Sequence, residues 1–248
     1  MGTRNILILA KKDSPWAPFL REFFEDTTAK LHIAHDAQHA ASVLDSLVRD
    51  MAFIDTSLLT PALVQKIKVL KQSHPELRLF QAGPKSKNSD GLAFDDVFPE
   101  LQPLSLFQKR FVQHLVYPDK IRVLVIDDEA EIGDMVRDFL ENRVHPTFDV
   151  TYTNDGKKGM QSLIKKHHDV VILDVKMPIK DGREIYREIT AQKIPVPVII
   201  FFDAISGEEI VEIHEIGRPA IVEKGCAQSA MPEMMALIKK MYYFRETA

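Results

Sequence analysis

The amino-acid sequence predicts an α/β protein of two tandem, doubly wound domains, each a five-stranded parallel sheet with helices on both faces. Its 248 residues exceed the usual size of a single domain. Short apolar runs alternate with segments of helical periodicity along the chain, which is typical of doubly wound parallel sheets. Two of these runs end on Asp55 and Asp174, and the difference between these numbers, 119 positions, is about the length of one small domain. We therefore expect a duplicated fold.

The first half repeats a strand followed by a helix. Its apolar runs predict buried strands, and the segments between them space apolar residues as an amphipathic helix does. The predicted strands are Ile6–Ala10, Leu31–Ala34, Ala52–Ile54, Leu77–Phe80 and Asp96–Phe98, and the predicted helices are one ending near Phe24, Ala40–Val48, Pro61–Leu70 and Leu104–Leu115.

The second half follows the same plan with clearer periodicity. Ile132, Met135, Val136 and Phe139 mark the apolar face of its first helix. The predicted strands are Ile121–Ile126, Phe148–Thr151, Val170–Leu173, Val198–Phe202 and Ala220–Val222, and the later helices are Gly156–Lys166, Arg183–Gln192, Gly207–Ile216 and Pro232 to about Phe244.

A short linker is predicted between the two halves, at Tyr117–Lys120. Pro118 ends the preceding helix there. The expected domains are therefore residues 1–118 and residues 121–248.

The composition excludes several classes of protein. A net charge of −4, 45% hydrophobic and 27% charged residues are typical of a soluble globular protein. There is no apolar run long enough to span a membrane and no signal-peptide layout at the N-terminus, so we expect a cytoplasmic protein. The single cysteine, Cys226, cannot form an internal disulfide. The chain has no basic stripe, and direct nucleic-acid binding is not expected.

Three carboxylates follow predicted strands of the second half. Asp127 and Asp128 follow the first of these strands, and Asp174 follows the third. Ligands of doubly wound sheets gather at the carboxyl ends of the strands. Converging carboxylates repel one another unless a cation neutralises them, and Mg²⁺ prefers oxygen ligands. The pattern predicts a Mg²⁺ site, whereas helix capping alone would not need the doubled aspartate.

At these residues the second half resembles the response-regulator receiver domain of two-component signalling. The matching motifs are the strand that ends in Asp127-Asp128-Glu129, the strand that ends in Asp174 and is followed by Met177-Pro178 and Asp181-Gly182, and Lys224 after the fifth strand. The resemblance covers Ile121–Ala248 and implies a flavodoxin-like sheet.

The resemblance also implies roles for these residues. Asp174 would be the phosphoacceptor, Asp127 and Asp128 would hold Mg²⁺ together with Asp174 and the backbone carbonyl of Lys176, and Lys224 would offset the charge of the transferred phosphoryl group.

The second half departs from the receiver pattern at two places. Receiver domains usually carry Thr or Ser at the end of the fourth strand, where this chain has Phe202 or Asp203, depending on the register. Gly225 replaces the usual proline after the lysine. We therefore expect phosphorylation without the full conformational switch.

The first half resembles a pseudo-receiver. Asp55 keeps the acceptor position, but Ala10, Lys11 and Lys12 replace the acidic pair, and Gln102-Pro103 stands where the lysine would be. Lys11 or Lys12 could neutralise Asp55 without a metal. We expect a fold that is retained for contacts and not for phosphoryl transfer.

The leading interpretation is a non-enzymatic signalling protein of a phosphorelay. A sensor histidine kinase or a phosphotransfer protein would supply the phosphoryl group, and a downstream protein, or a second copy of the chain in a homodimer, would be contacted through the fourth and fifth helices of the second half. The alternative is a phosphorylation-independent interaction protein. A phosphatase of the haloacid-dehalogenase type is disfavoured, because Asp174-Val175-Lys176 lacks the DxD that this family uses.

Overall fold

The computed structural model describes residues 3–46, 50–178, 180–225 and 227–245. It has two five-stranded, all-parallel sheets with flanking helices, so the predicted fold class of two tandem flavodoxin-like α/β domains is confirmed. Close contacts divide the chain into one unit that ends at Leu106 and a second that begins at Phe107. This division lies earlier than the predicted linker. The predicted helix end at Val48 and Cys226 lie outside the described residues.

The first unit contains one of the two sheets. Its order is β2-β1-β3-β4-β5. The elements are β1 (Asn5–Leu9), α1 (Trp16–Phe23), β2 (Lys30–Ala34), α2 (Ala37–Ser46), β3 (Met51–Asp55), α3 (Pro61–Ser73), β4 (Arg78–Ala82), β5 (Asp96–Phe98) and α4 (Leu104–Phe111), of which α4 crosses into the second unit.

The core of the first unit occupies both faces of its sheet. Aliphatic side chains of α2 and α3 cover one face. On the other face, rings of neighbouring strands contact one another, with Phe53 stacked on Phe80 at 4.9 Å and Phe80 beside Phe98 at 6.3 Å. Burial on both faces explains why these strands are continuous apolar runs.

The second unit contains the other sheet, in the order β7-β6-β8-β9-β10, which is the order of the first sheet. A 3₁₀ turn at Val112–His114 precedes it. The elements are β6 (Lys120–Ile126), α5 (Ala130–Glu141), β7 (Thr147–Thr153), α6 (Gly156–Lys165), β8 (Val170–Asp174), α7 (Gly182–Ala191), β9 (Val198–Phe202), α8 (Gly207–Ile216), β10 (Ala220–Glu223) and α9 (Ala227–Phe244).

The last helix begins earlier than predicted. Helix α9 begins at Ala227, so Pro232 lies inside the helix rather than at its start. Met231, Met234 and Met241 are buried beneath the sheet, and this burial compensates for the backbone hydrogen bond that proline cannot donate. These three methionines are therefore core residues, and Met235 is half-buried against the same core.

Aspartates immediately before three strands make the same contact at the amino ends of the sheets. The carboxylates of Asp50, Asp95 and Asp169 accept a backbone N–H of the neighbouring strand at 2.8–2.9 Å. The carbonyl of that neighbour accepts the aspartate's own N–H in each case. An arginine pairs with each carboxylate, namely Arg4, Arg78 and Arg245 respectively. We call this contact the aspartate clamp.

None of the helices in the described part of the chain has the length and apolar character that a membrane span requires.

Candidate functional site

The three aspartates of the predicted metal site lie together at the carboxyl edge of the second sheet. Asp127 and Asp128 directly follow β6, and Asp174 is the last residue of β8. These strands are neighbours, because Ile126 is paired with Leu173. One carboxylate oxygen from each aspartate lies within 4.8 Å of the others. Asp174 belongs to a buried strand and not to a solvated loop.

Lys224 directly follows β10 and lies among these carboxylates. Its Nζ is 3.0 Å from Asp127 Oδ2, 3.0 Å from Asp174 Oδ1 and 3.3 Å from Glu129 Oε1. Its backbone N–H donates to the carbonyl of Phe202. Only 2% of Lys224 is exposed, so it is not an ordinary surface lysine. A buried ammonium group so close to two buried carboxylates is a paired charge.

The oxygens of Asp127 differ in their hydrogen bonds. Oδ1 accepts the backbone N–H of Glu129 at 3.0 Å. Oδ2 is buried and accepts no hydrogen bond from the described residues, although it forms an ion pair with the Lys224 ammonium at 3.0 Å. A buried acceptor of this kind can take a further cationic ligand. The oxygen donors therefore fit Mg²⁺ chemically, and a bound cation would share them with Lys224.

Burial and neighbouring charges shift the protonation of this cluster. Burial raises the pKa of Asp127 to about 6, although the Glu129 N–H and the Lys224 ammonium oppose the shift. Burial also raises the pKa of Asp174 against the influence of Lys224. Burial by itself lowers the pKa of Lys224. The hydrogen bonds and negative charges of Asp174 and Asp127 outweigh this effect, so the pKa of Lys224 is raised. Lys224 is consequently charged at neutral pH.

The two candidates for the switch position have different environments. The half-buried Phe202 packs against the core on the α7 and α8 side of the sheet. Asp203 is exposed, and its Oδ2 lies 3.9 Å from Lys224 Nζ. Of the two, Asp203 therefore faces the acidic cluster and adds another carboxylate to it.

The loop after β8 is held close to Asp174. Gly182 donates its N–H to the carbonyl of Val175, and a Cβ on Gly182 would lie 1.9 Å from the carbonyl oxygen of Asp174. Lys176 lies in this loop, and its side chain reaches within 3.8 Å of Glu209 on α8. Gly225, after Lys224, has a φ of +41°, which proline, with φ fixed near −65°, cannot adopt.

An ion-pair network connects this loop with α8. Arg183 pairs with Asp181 at 2.7 Å and with Glu212 at 2.8 Å, and it lies 3.8 Å from Glu209. Glu209 also closes a capping box with Ser206 at the start of α8. The segment after Asp174 is thus tied to the helix that follows β9.

The edge of the first unit has different chemistry. Ser14 Oγ donates to Asp55 Oδ2, and the backbone N–H of Ser57 donates to Asp55 Oδ1 at 2.9 Å. Lys11 and Lys12 are exposed. The side-chain partner of the buried Asp55 is therefore the hydroxyl of Ser14 and not a lysine. Within the described residues, no group of three potential metal ligands is found in this unit.

Sequence reasoning gave no role to two participants. Ser14 follows an exposed Lys-Lys-Asp run, and Glu129 is the residue after the doubled aspartate. Glu129 stands in the matched motif, and its place beside the aspartates could have indicated its contact with Lys224. The contact of Ser14 with Asp55 depends on side-chain placement, which no local pattern indicates.

The fold and this edge define a doubly wound α/β domain with an acidic cluster and a buried lysine at its carboxyl edge. Residues 123–236 match the family model for the response regulator receiver domain.

Two similar proteins illustrate the range of relatives. The protein-glutamate methylesterase/protein-glutamine glutaminase 2 of Methanosarcina acetivorans is 37% identical over 121 residues, which are 46% of this chain and 33% of that protein. The transcriptional regulatory protein QseB of Escherichia coli O157:H7 is 32% identical over 123 residues, 49% of this chain and 52% of that protein. The chain thus covers about half or less of the length of these relatives.

Among solved structures, the response regulator domain of Thermotoga maritima CheB is 25% identical to this chain. The match covers 49% of this chain and 96% of the CheB domain, with a TM-score of 0.45. By its match to the family model, the second unit is similar to a response regulator receiver domain over residues 123–236.

Proposed function

We propose that the second unit accepts a phosphoryl group on Asp174 and that the first unit is a pseudo-receiver retained for protein contacts. One observation carries the proposal: Lys224 Nζ lies 3.0 Å from both Asp127 and Asp174 in a buried cluster. A nucleophilic carboxylate, two further carboxylates for a cation and a fixed ammonium group are the groups that acyl-phosphate formation requires.

In this reaction an oxygen of Asp174 attacks the phosphorus of a phosphohistidine on a sensor histidine kinase or phosphotransfer protein. The O–P bond forms while the N–P bond breaks, and the electron pair of that bond returns to the imidazole nitrogen. Lys224 holds positive charge beside the transferred oxygens. Asp127, Asp128 and the carbonyl of Lys176 would hold Mg²⁺, which neutralises phosphoryl charge when bound.

Support for the pseudo-receiver is chemical. Both oxygens of Asp55 already accept hydrogen bonds, from Ser14 and Ser57. Ala10, Lys11 and Lys12 supply no carboxylate for a cation. We therefore assign contacts, and not catalysis, to this unit.

The deciding experiment is incubation of the full chain with acetyl phosphate and Mg²⁺, followed by intact-mass measurement. We expect one added phosphoryl group in the wild type and in Asp55→Asn, and none in Asp174→Asn. A phosphoryl group on Asp55 would overturn the pseudo-receiver assignment. An unmodified wild type would favour the phosphorylation-independent interaction protein.

We further propose that a downstream partner, or a second copy of the chain, contacts the surface of α8 and α9. Val211 on α8 is a large apolar side chain with 59% exposure, which suits a contact surface. The exposed Glu215 on the same helix offers a charge reversal, Glu215→Lys, with Asp138→Lys on α5 as the matched control. Loss of partner binding or self-association in the first variant alone is expected, and intact binding in Glu215→Lys would refute this surface.

A further inference from the structure

Tyr152 carries a polar atom without a partner in the part of the chain that the structure describes. There its hydroxyl oxygen is buried and makes no hydrogen bond, although the tyrosine as a whole is half-buried. Buried hydroxyl groups normally bind a protein group or an ordered water. The hydroxyl of Tyr152 is therefore available to a ligand that is not part of the chain.

The strand pairing brings Tyr152 to the metal site. Tyr152 is paired with Val125, and the next residue, Thr153, is paired with Ile126. Asp127 continues this register, because its N–H donates to the carbonyl of Thr153 at 3.2 Å. Tyr152 is thus the residue directly before Thr153, the residue of β7 that binds the backbone of Asp127.

Helix α5 fixes the direction of the tyrosine ring. A Cβ on Gly133 would lie 2.3 Å from a ring carbon of Tyr152, so glycine is needed there for the ring to lie against the helix. Gly133 follows the Asp128-Glu129 turn by one helical turn. The ring also packs on the core beneath α5 and α9, and these contacts leave it little freedom to turn away.

The charges around the hydroxyl come from the acidic edge. Burial raises the pKa of Tyr152, and the negative charges of Asp127, Asp128 and Asp134 raise it further. The phenol therefore keeps its proton and can act as a donor. Of these three carboxylates, Asp134 is the one that is paired with an arginine, Arg137, at 3.0 Å.

We propose that Tyr152 is a positioning residue of the cation site, whose hydroxyl donates a hydrogen bond to a hydration water of a divalent cation held by Asp127 and Asp128. The inference rests on the proposed function. It fits the chemistry of Mg²⁺, which keeps several waters and takes few protein carboxylates. Groups that orient such waters are part of a metal site even though they do not touch the metal.

The test compares Mg²⁺ binding by calorimetry in the full-length wild type, Tyr152→Phe and Tyr186→Phe. Phenylalanine keeps the ring against Gly133 and removes only the hydroxyl. Tyr186 is a second buried tyrosine, on α7, and it serves as the matched control. We expect affinity to fall by about tenfold in Tyr152→Phe, as for other groups of this kind, and to be unchanged in Tyr186→Phe.

A second readout separates positioning from stability. Mg²⁺ should produce a tyrosine ultraviolet difference spectrum in the wild type that is lost in Tyr152→Phe and kept in Tyr186→Phe. Equal Mg²⁺ affinity in wild type and Tyr152→Phe would overturn this inference and leave the proposed function intact. A wild type that binds no Mg²⁺ would overturn both.

Discussion

Lys224 holds an ammonium group among carboxylates that would otherwise repel one another. Its closest partners, Asp127 and Asp174, are 1% and 4% exposed, so water cannot replace the lysine as their partner. Without a bound cation this lysine therefore stabilises the second unit, in addition to the role that we propose for it in phosphoryl transfer.

Replacement of Lys224 by methionine should destabilise the second unit by about 3–5 kcal/mol at pH 7 without divalent cations, because two buried carboxylates lose their partner. Urea unfolding in EDTA measures this loss. Added Mg²⁺ should restore stability more in Lys224→Met than in the wild type, since a cation can occupy the vacated position. Lys176→Met is the control, as Lys176 is exposed. If Lys224→Met were as stable as the wild type, Lys224 would not be needed to stabilise the two buried carboxylates.

Asp127 makes the metal-free protein sensitive to pH. Its pKa of about 6 in the fold lies above the ordinary 3.8, so the folded state binds more protons than the unfolded state between these values. The contribution of Asp127 to stability therefore falls as pH rises from about 4 to 6, by roughly 3 kcal/mol in all, and is level above pH 6.

Asp127→Asn should remove this dependence. Thermal unfolding in EDTA from pH 4 to pH 8 should show the variant gaining stability relative to the wild type up to about pH 6, with a constant difference above it. Lys224 still has Asp174 as a partner in this variant. A difference that shrinks with rising pH would show that the carboxylate is stabilised and not penalised by its surroundings.

At the scale of elements, the turn between β8 and α7 depends on a close approach of two backbones. Gly182→Ala places a Cβ 1.9 Å from the carbonyl oxygen of Asp174, and backbone cannot move aside as a flexible side chain can. We expect a loss of about 3 kcal/mol and reduced phosphoryl uptake, measured by unfolding and intact mass.

Gly207→Ala is the matched control for this substitution. Gly207 also begins a helix, α8, but a Cβ there meets no atom of the described residues within 4 Å. The free energy of unfolding of Gly207→Ala should stay within about 1 kcal/mol of the wild-type value or rise. If both alanine variants behaved alike, the close approach at Gly182 would not be the reason for the glycine.

The limits of an element could be predicted where they depend on neighbouring residues in the sequence, and not where they depend on contacts with distant parts of the fold. Strands β5 and β9 and helix α8 have the predicted limits because apolar runs and the Ser206 cap are local signals. The start of α9 was wrong, because Pro232 suggests a helix beginning while burial of the methionines against the sheet extends the helix to Ala227. Likewise, the aspartates and Lys224 could be recognised from sequence, but Ser14, the partner of Asp55, could not.

At the scale of the whole molecule, phosphorylation is expected to act weakly. Asp203, and not a hydroxyl, faces Lys224, so it repels a phosphoryl group that Thr would bind. The remaining connection to α8 runs through Lys176 and Arg183, whose ion pairs are partly exposed, and such pairs contribute little individually.

We therefore expect phosphorylation to change partner affinity by about 1 kcal/mol in the wild type and by more in Asp203→Thr. The measurement is binding before and after phosphorylation, with Phe202→Thr as the control, since the half-buried Phe202 packs against the core. A hundredfold change in the wild type would contradict the weak switch.

The aspartate clamps separate the framework of each sheet from its carboxyl edge. They secure the amino ends of strands in both sheets through Asp50, Asp95 and Asp169, whereas Asp127, Asp128 and Asp174 stand at the opposite, carboxyl ends. Because the two sets occupy opposite rims, a sheet of this kind can lack the acidic pair, as the first one does, and still keep its framework. Carboxylates introduced at Lys11 and Lys12 would accordingly meet an intact scaffold.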